Sequence, residues 1–231
     1  MGGRAAPGKR RFAGDVTQKE RQERSRQEIF RAAMEEFGTR GYEEVTMERI
    51  CSGHGISKGM MYHYYSNKDE LFLLCVADTF DALEAYIRQE SVNAEGQSAF
   101  DAIKDYFLLR ERFFEGQPQR KRVFETAILH PPKHLAEQIQ QLHRPIMELN
   151  RRFIEGIVAR MTLRKDLDPQ CVAWYLESID PVIPSVIQRF LEKQSSRDLH
   201  AMLEATRKML DLILLGVARQ PAAEKTAEKG C

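Results

Sequence analysis

The sequence predicts an all-α protein of roughly nine helices, in which a three-helix unit is followed by a larger helical bundle. The 231 residues are 42% apolar and 30% charged, and they favour the Leu, Ala, Glu, Arg and Met of amphipathic helices. Apolar residues recur at three- and four-residue steps through most of the chain. Glycines and capping residues divide its N-terminal part into short segments.

The first predicted helix begins near Lys19 and places Ile29, Ala33 and Phe37 on one face. Gly41 is expected to end this helix, because a residue just past a helix end often adopts the left-handed conformation. The chain can then fold back onto the apolar face of the first helix.

Two short helices are predicted next. Tyr42 and Val45 lie against the first helix, and Thr46 opens the second helix as its N-cap. A turn at Gly55 ends that helix, and Ser57 caps a third. A short helix, a glycine turn and a second short helix are typical of a helix-turn-helix.

A fourth helix is predicted from Lys68, because Asn67 and Glu70 have the spacing of a capping box. Long amphipathic helices follow, with breaks near 116–118 and 131–132. The last two helices are expected at about 169–193 and 197–217. Their apolar residues exceed what one chain can bury, so a four-helix contact in a homodimer is expected.

Prolines inside a helical pattern remove a backbone donor and collide with the preceding turn. Pro181 and Pro184 therefore predict a kink or a break near 180–184.

Charge is distributed unevenly along the chain. Residues 1–68 carry 13 Lys and Arg against 9 Asp and Glu, a net of +4, whereas the remainder carries 22 against 25, a net of −3. A basic N-terminal part indicates a polyanionic partner. The four cysteines show no CxxC spacing, and no apolar run approaches the roughly 20 residues of a membrane span. A cytoplasmic protein with no membrane contact is expected.

The outer side of the third helix carries residue types that suit duplex DNA. Lys58 and Lys68 can neutralise phosphates, and Thr46 can offer a hydroxyl and a helix N-terminal amide to a phosphate oxygen. Met60 and Tyr62 can present apolar surface to thymine methyl groups. Gly59 would allow close approach to the groove, and His63 could hydrogen-bond to a phosphate.

Residues of about 20–72 resemble the DNA-binding domain of the TetR family of transcriptional regulators, through IFRAAMEEFGTRGYEEVTM and GISKGMMYHYYSNKDELF. The resemblance implies a homodimer whose C-terminal helical domain binds a small molecule and thereby releases DNA. It also directs Tyr62 and Tyr64 toward DNA, while Tyr65 is expected in the core. The expected DNA-contacting residues are Thr46, Ser57, Lys58, Gly59, Met60, Tyr62, His63, Tyr64 and Lys68.

The chain departs from the family pattern at Ser52, Gly53 and His54, where small apolar residues are common, so the second helix is expected to be short. His54 is interpreted as a turn residue. Four segments are expected: a disordered basic tail (1–16), a helix-turn-helix domain (17–66), an effector-binding and dimerisation domain (67–218) and a second disordered tail (219–231). The first tail could also strengthen phosphate contacts.

An apolar effector site is expected in the bundle. Its candidate lining residues are Phe107, Arg110, Phe114, Phe124, Met147, Trp174 and Tyr175. Arg110, Glu111 and Glu125 are candidate polar anchors in that site. Core packing and surface ion pairs are the alternative interpretations of these residues.

Two other functions stay open. An enzyme is disfavoured because the chain lacks GxSxG, HExxH, P-loop and Rossmann glycine patterns. His130, His134 and His143 could in principle ligate a metal, but their spacings flank two prolines and are a weak signal, so no catalytic residue, cofactor or metal site is expected. The bundle could instead be regulated by a protein partner. Activation of transcription remains an alternative to repression by the operator-bound protein.

Overall fold

The structure, a computed structural model, describes residues 17–91, 98–168, 170–172, 174–175, 186, 189–193 and 198–217. The all-α prediction is confirmed. The helices with both bounds described are α1 (Gln18–Arg40), α2 (Met47–His54), α3 (Lys58–Tyr64), α4 (Lys68–Glu90), α5 (Ala99–Phe114), α6 (Pro118–Leu129), α7 (Ala136–Arg160) and α8 (Leu199–Val217). The kink predicted at Pro181 and Pro184 and both predicted tails lie outside the described residues.

Side-chain caps start the first four helices. The Thr17 hydroxyl accepts from the backbone of Glu20, and the Glu20 carboxylate accepts from the backbone of Thr17, which completes a capping box. The predicted N-caps Thr46, Ser57 and Asn67 are confirmed. These caps satisfy amide groups that a helix start would otherwise leave unpaired.

The fourth cap differs in one detail from the predicted capping box. The Asn67 side chain accepts from the Glu70 amide at 3.0 Å, as predicted. The Glu70 carboxylate accepts from the Ser66 amide at 2.8 Å, one residue before the cap. Both hydrogen bonds still hold the start of α4 in place.

Prolines occupy two different positions in the helices of the middle of the chain. The sequence predicts a break near 116–118, and α6 begins at its last residue, Pro118. Proline fits this first position because it lacks an amide hydrogen that would be unpaired there anyway. Pro145, in contrast, lies inside α7, and the helix continues through it.

One apolar core joins the three-helix unit to the bundle. Buried residues of α1, including Ile29 and Phe37, belong to the same cluster as Leu210 of α8. The α1 and α6 backbones approach closely at Gly38, where an added Cβ would lie 2.5 Å from the Gln119 Cα. The three-helix unit and the bundle therefore share one packed core, and the boundary at 66–67 stays a prediction.

None of the described helices combines the length with the apolar character that a bilayer span requires.

Candidate DNA interface

The turn between α2 and α3 has a backbone that favours glycine. Gly55 adopts a left-handed conformation, with φ of 68°, and its amide donates to the Cys51 carbonyl. The Ile56 amide donates to the same oxygen at 3.0 Å. The chain then turns at once into Ser57, whose hydroxyl accepts from the Met60 amide at 3.1 Å. The second helix ends at His54, so the short α2 predicted from its residues is confirmed.

Apolar side chains fix the inner side of this unit. Ile50 of α2, Ile56 of the turn and Met61 of α3 are buried together in the core. Tyr42 and Val45 are also buried and cover the end of α1, as predicted. Because α3 is anchored along one side only, its opposite side remains outside the core.

The outer side of α3 carries Lys58, Gly59, Tyr62 and His63, all of them exposed. Tyr62 exposes 57% of its surface, so most of its ring is available to a partner. A Cβ added at Gly59 would meet nothing within 4 Å, so the backbone there can be approached closely. These four residues form one continuous outward surface.

Other predicted contact residues lie partly inside. Met60 and Tyr64 are half-buried and pack against the core. Tyr65, which was expected in the core, packs against it in the same way. The Tyr64 ring also lies 5.4 Å from the Arg26 guanidinium of α1, a neighbour that sequence spacing could not reveal. Tyr64 is thus less available than Tyr62 to an external partner.

Lys58 has a carboxylate partner at the surface. Its Nζ lies 2.6 Å from Glu48 Oε1 of α2, and both side chains are largely exposed. The hydrogen bond to Lys58 lowers the pKa of Glu48, and the same bond raises the pKa of Lys58. An exposed pair of this kind is weak enough to exchange for another anion.

Lys68 belongs to a polar cluster that the sequence did not suggest. Its Nζ donates to the Tyr42 carbonyl at 3.0 Å and lies 4.1 Å from the centre of the Tyr42 ring. The Tyr42 hydroxyl donates to Asp69, and His134 Nε2 lies 2.9 Å from the other Asp69 oxygen. The bond from Tyr42 lowers the pKa of Asp69. The cluster connects the start of α4 with the turn before α7.

The predicted effector residues divide into two groups. Phe107, Phe114 and Phe124 are buried, and Arg110 is buried among them on α5. Met147 is half-buried. In contrast, Trp174 and Tyr175 expose 61% and 59% of their surface and lie outside this core.

Two of the three candidate anchors have other partners. Glu111 Oε1 lies 2.5 Å from His200 Nδ1, and Glu125 Oε1 accepts from the Leu199 amide at 2.9 Å. Both carboxylates thereby hold the start of α8 against α5 and α6. Of these three anchors, Arg110 alone has no ionic partner among the described residues.

The proposed histidine metal ligands do not converge. His134 pairs with Asp69, and His143 lies against the Phe80 ring at 5.0 Å. No group of three or more His, Cys, Asp or Glu side chains able to hold a metal ion occurs in the part of the chain that the structure describes.

Comparison with known proteins identifies the N-terminal unit. Residues 29–75 match the family described as bacterial regulatory proteins, tetR family. The chain is 29% identical over 72 residues to the transposon Tn10 TetC protein of Escherichia coli, covering 31% of this chain and 36% of that protein. The chain therefore spans little more than a third of that relative's length.

Two further likenesses extend into the bundle. The chain is 23% identical over 177 residues to the HTH-type transcriptional repressor AcnR of Corynebacterium jeikeium, covering 77% of this chain and 87% of the repressor. A crystal structure of a TetR family transcriptional regulator from Chloroflexus aurantiacus superposes with a TM-score of 0.51 at 20% identity, covering 86% of this chain and 95% of that one. This structural likeness shows a shared fold.

Proposed function

The chain belongs to the TetR family of bacterial regulatory proteins, and on that premise we propose that it represses transcription by binding a palindromic DNA operator as a homodimer. A small-molecule effector in the bundle would release the operator. Members of this family are transcriptional regulators and not enzymes. The observation that carries the proposal is the outward surface of α3, formed by exposed Lys58, Gly59, Tyr62 and His63 over a buried Met61.

The chemistry of this surface suits a major groove. An α-helix fits that groove, where the Tyr62 ring can lie against thymine methyl groups and bases are distinguished by their edges. Lys58 can exchange its ion pair with Glu48 for one with a DNA phosphate. Lys68 can supply a second positive charge to the DNA backbone. The Thr46 and Ser57 hydroxyls cap the starts of α2 and α3. Thr46 and Ser57 would therefore contribute to DNA binding through helix N-terminal amides as well as through their hydroxyls.

The division of labour between segments is part of the proposal. Residues 17–66 would bind DNA, and residues 67–218 would bind the effector and the second subunit. Since one core runs through both, α1 and α4 can carry a change in the bundle to α3.

Exposed apolar side chains support the homodimer. Among the described residues, the large hydrophobic side chains that remain exposed, apart from Tyr62, all lie between 174 and 215. They are Trp174, Tyr175, Val186, Phe190, Leu212 and Leu215. A second subunit covering this surface would remove it from water and would set two α3 helices about 34 Å apart, on one face of the duplex.

The test is recovery of bound duplex fragments from genomic DNA, followed by affinity measurements on the best fragment at several salt concentrations. We expect Lys68→Ala to weaken binding to every sequence and to lower the salt dependence by about one counterion. Met60→Ala and Tyr62→Ala should instead change the preference among operators. Operator affinity unchanged by all three substitutions would contradict the assignment of α3.

A ligand screen separates the effector from the alternative regulator. Loss of operator binding on addition of a small molecule supports the effector proposal. A stable complex with a protein, together with no response to any small molecule, would instead support regulation by a protein partner.

A further inference from the structure

Arg110 of α5 is the single charged side chain that is buried, among the residues whose exposure the structure describes. It exposes only 4% of its surface. Burying a charge is costly unless an opposite charge compensates it. A guanidinium also stays protonated under physiological conditions, so Arg110 cannot escape this cost by losing its proton. The groups around Arg110 therefore determine whether its charge is compensated within the protein or is available to a ligand.

The partners of Arg110 are all neutral. Its Nη1 donates to the Tyr106 carbonyl at 2.6 Å, and its Nη2 donates to Asn150 Oδ1 of α7 at 2.5 Å. The guanidinium carbon lies 4.3 Å from the centre of the Tyr106 ring and 5.1 Å from that of Phe107. These bonds use two of the five N–H donors, and no carboxylate of the described residues forms an ion pair with Arg110.

Carboxylates in the neighbourhood are directed elsewhere. Glu111, the next residue, pairs with His200 on the other side of α5, and Glu125 binds the α8 backbone. Asn150 occupies the position at which an aspartate would have completed a buried ion pair. Its Oδ1 also accepts from the Tyr106 hydroxyl at 3.0 Å, so the amide is held in place.

The surroundings are apolar and aromatic. The Tyr106 ring stacks on Phe153 of α7 with centroids 3.7 Å apart. His143 of α7 remains neutral, because burial and the charge of Arg110 together lower its pKa to about 4. Arg110 is thus an isolated positive charge in a region of low dielectric constant, which is where a single anion binds most strongly.

We infer that Arg110, supported by Asn150, binds the carboxylate of an organic acid whose apolar body lies among the aromatic side chains of α5 and α7. The inference rests on the proposed function, since it names the chemical class of the effector. A monoanion fits better than a phosphate dianion, because Arg88, the other cation whose charge reaches Tyr106, is paired with Glu84, and His143 is neutral. A guanidinium also matches a carboxylate geometrically, with two parallel hydrogen bonds.

The test compares acids with their uncharged amides. Hexanoate, 4-phenylbutanoate and the two corresponding primary amides are titrated into the full-length protein at constant ionic strength, with the melting temperature and the Kd as readouts. We expect the two carboxylates, and not the amides, to raise the melting temperature. Arg110→Met should weaken carboxylate binding about 10- to 100-fold, the loss expected for a charge-assisted hydrogen bond.

Two matched variants separate charge from structure. Asn150→Asp keeps the shape of the side chain but supplies an internal counter-charge. It should raise the melting temperature of the unliganded protein and suppress carboxylate binding as strongly as Arg110→Met. Arg112→Met, which removes an exposed arginine of the same helix, should leave carboxylate binding unchanged.

The inference is overturned if acids and amides bind alike, if Asn150→Asp retains full carboxylate affinity, or if none of the four compounds binds the wild type more tightly than Arg110→Met. Operator binding by the same samples distinguishes this outcome from failure of the proposed function. If the protein binds its operator but does not prefer carboxylates, only the anion site at Arg110 is refuted. If the protein binds carboxylates but prefers no duplex, the anion site is supported and the proposed regulatory function is refuted.

Discussion

Lys58 of α3 and Arg110 of α5 are both cations, but they stand in opposite surroundings. Lys58 has a 65% exposed side chain and is paired with Glu48, whereas Arg110 is 4% exposed and has neutral partners. Water screens the first charge, so its ion pair can be exchanged for a phosphate at little cost. The second charge is not screened and has no ion pair to exchange.

This difference matches the two ligands proposed. DNA presents many charges at a surface, and weak exchangeable contacts give affinity that depends on salt. A small acid presents one charge, and a buried site can bind it with selectivity because the apolar surroundings strengthen the contact. Substitutions in the exposed reading surface and in the buried core can therefore test this contrast.

Neighbouring residues of α3 should separate folding from recognition. Met61 is fully buried, so Met61→Ala should lower the free energy of unfolding by about 2–5 kcal/mol, measured by denaturant titration. Tyr62→Ala should change that free energy little and should alter operator preference. Equal losses of stability in the two variants would show that the outer side of α3 is part of the core.

The junction of α1 and α6 should tolerate no added side chain. Gly38→Ala would place a Cβ against the Gln119 backbone and should cost about 1–3 kcal/mol of unfolding free energy. Gly156→Ala in α7 is the control, because its Cβ would meet nothing within 4 Å. That control should stabilise the protein by up to about 1 kcal/mol, since alanine favours helix. A neutral Gly38→Ala would show that the two units are loosely joined.

Acid should destabilise the bundle through His143. The unfolded histidine gains its proton near pH 6.5, whereas burial and Arg110 hold the folded pKa at about 4. The unfolded state therefore binds more protons between these values, and stability falls as the pH decreases from about 6.5 to 4. Unfolding curves across this range should show a loss on the order of 1–3 kcal/mol that His143→Gln reduces. An identical pH dependence in the variant would show that a group other than His143 causes the loss of stability.

The surface pair of α2 and α3 should have the smallest effect. Glu48→Gln removes the carboxylate that competes with phosphate for Lys58, so operator affinity should rise a few-fold at low salt. The gain should disappear at high salt, where exposed charges are screened. Affinity that falls on this substitution would mean that Glu48 positions Lys58 for binding.

The sequence predicted the N-terminal unit more fully than the bundle, for a physical reason. Helix starts at Thr46, Ser57 and Asn67 depend on local bonds within three residues, so their spacing is visible in the chain. In the bundle, α6 has no side-chain cap, and α7 continues through Pro145. The start of α6 and the continuation of α7 depend on packing between helices, which is not visible in short sequence patterns.

The same limit applies to the candidate sites. Lys58, Tyr62 and His63 could be placed on one outward surface from the sequence, whereas Met60, predicted on the same surface, is half-buried. The isolation of Arg110 could not, because it depends on Glu111 and Glu125 being directed to α8. Nor could the cluster of Tyr42, Asp69 and His134, whose members lie up to 92 residues apart.

Selection of duplexes from a random pool would show whether α3 reads DNA. Wild-type protein and Tyr62→Ala would be compared at one stated salt concentration. We expect a palindromic consensus for the wild type and a changed or weakened consensus for the variant. A folded wild-type protein that recovers no consensus above random competitor would contradict this expectation.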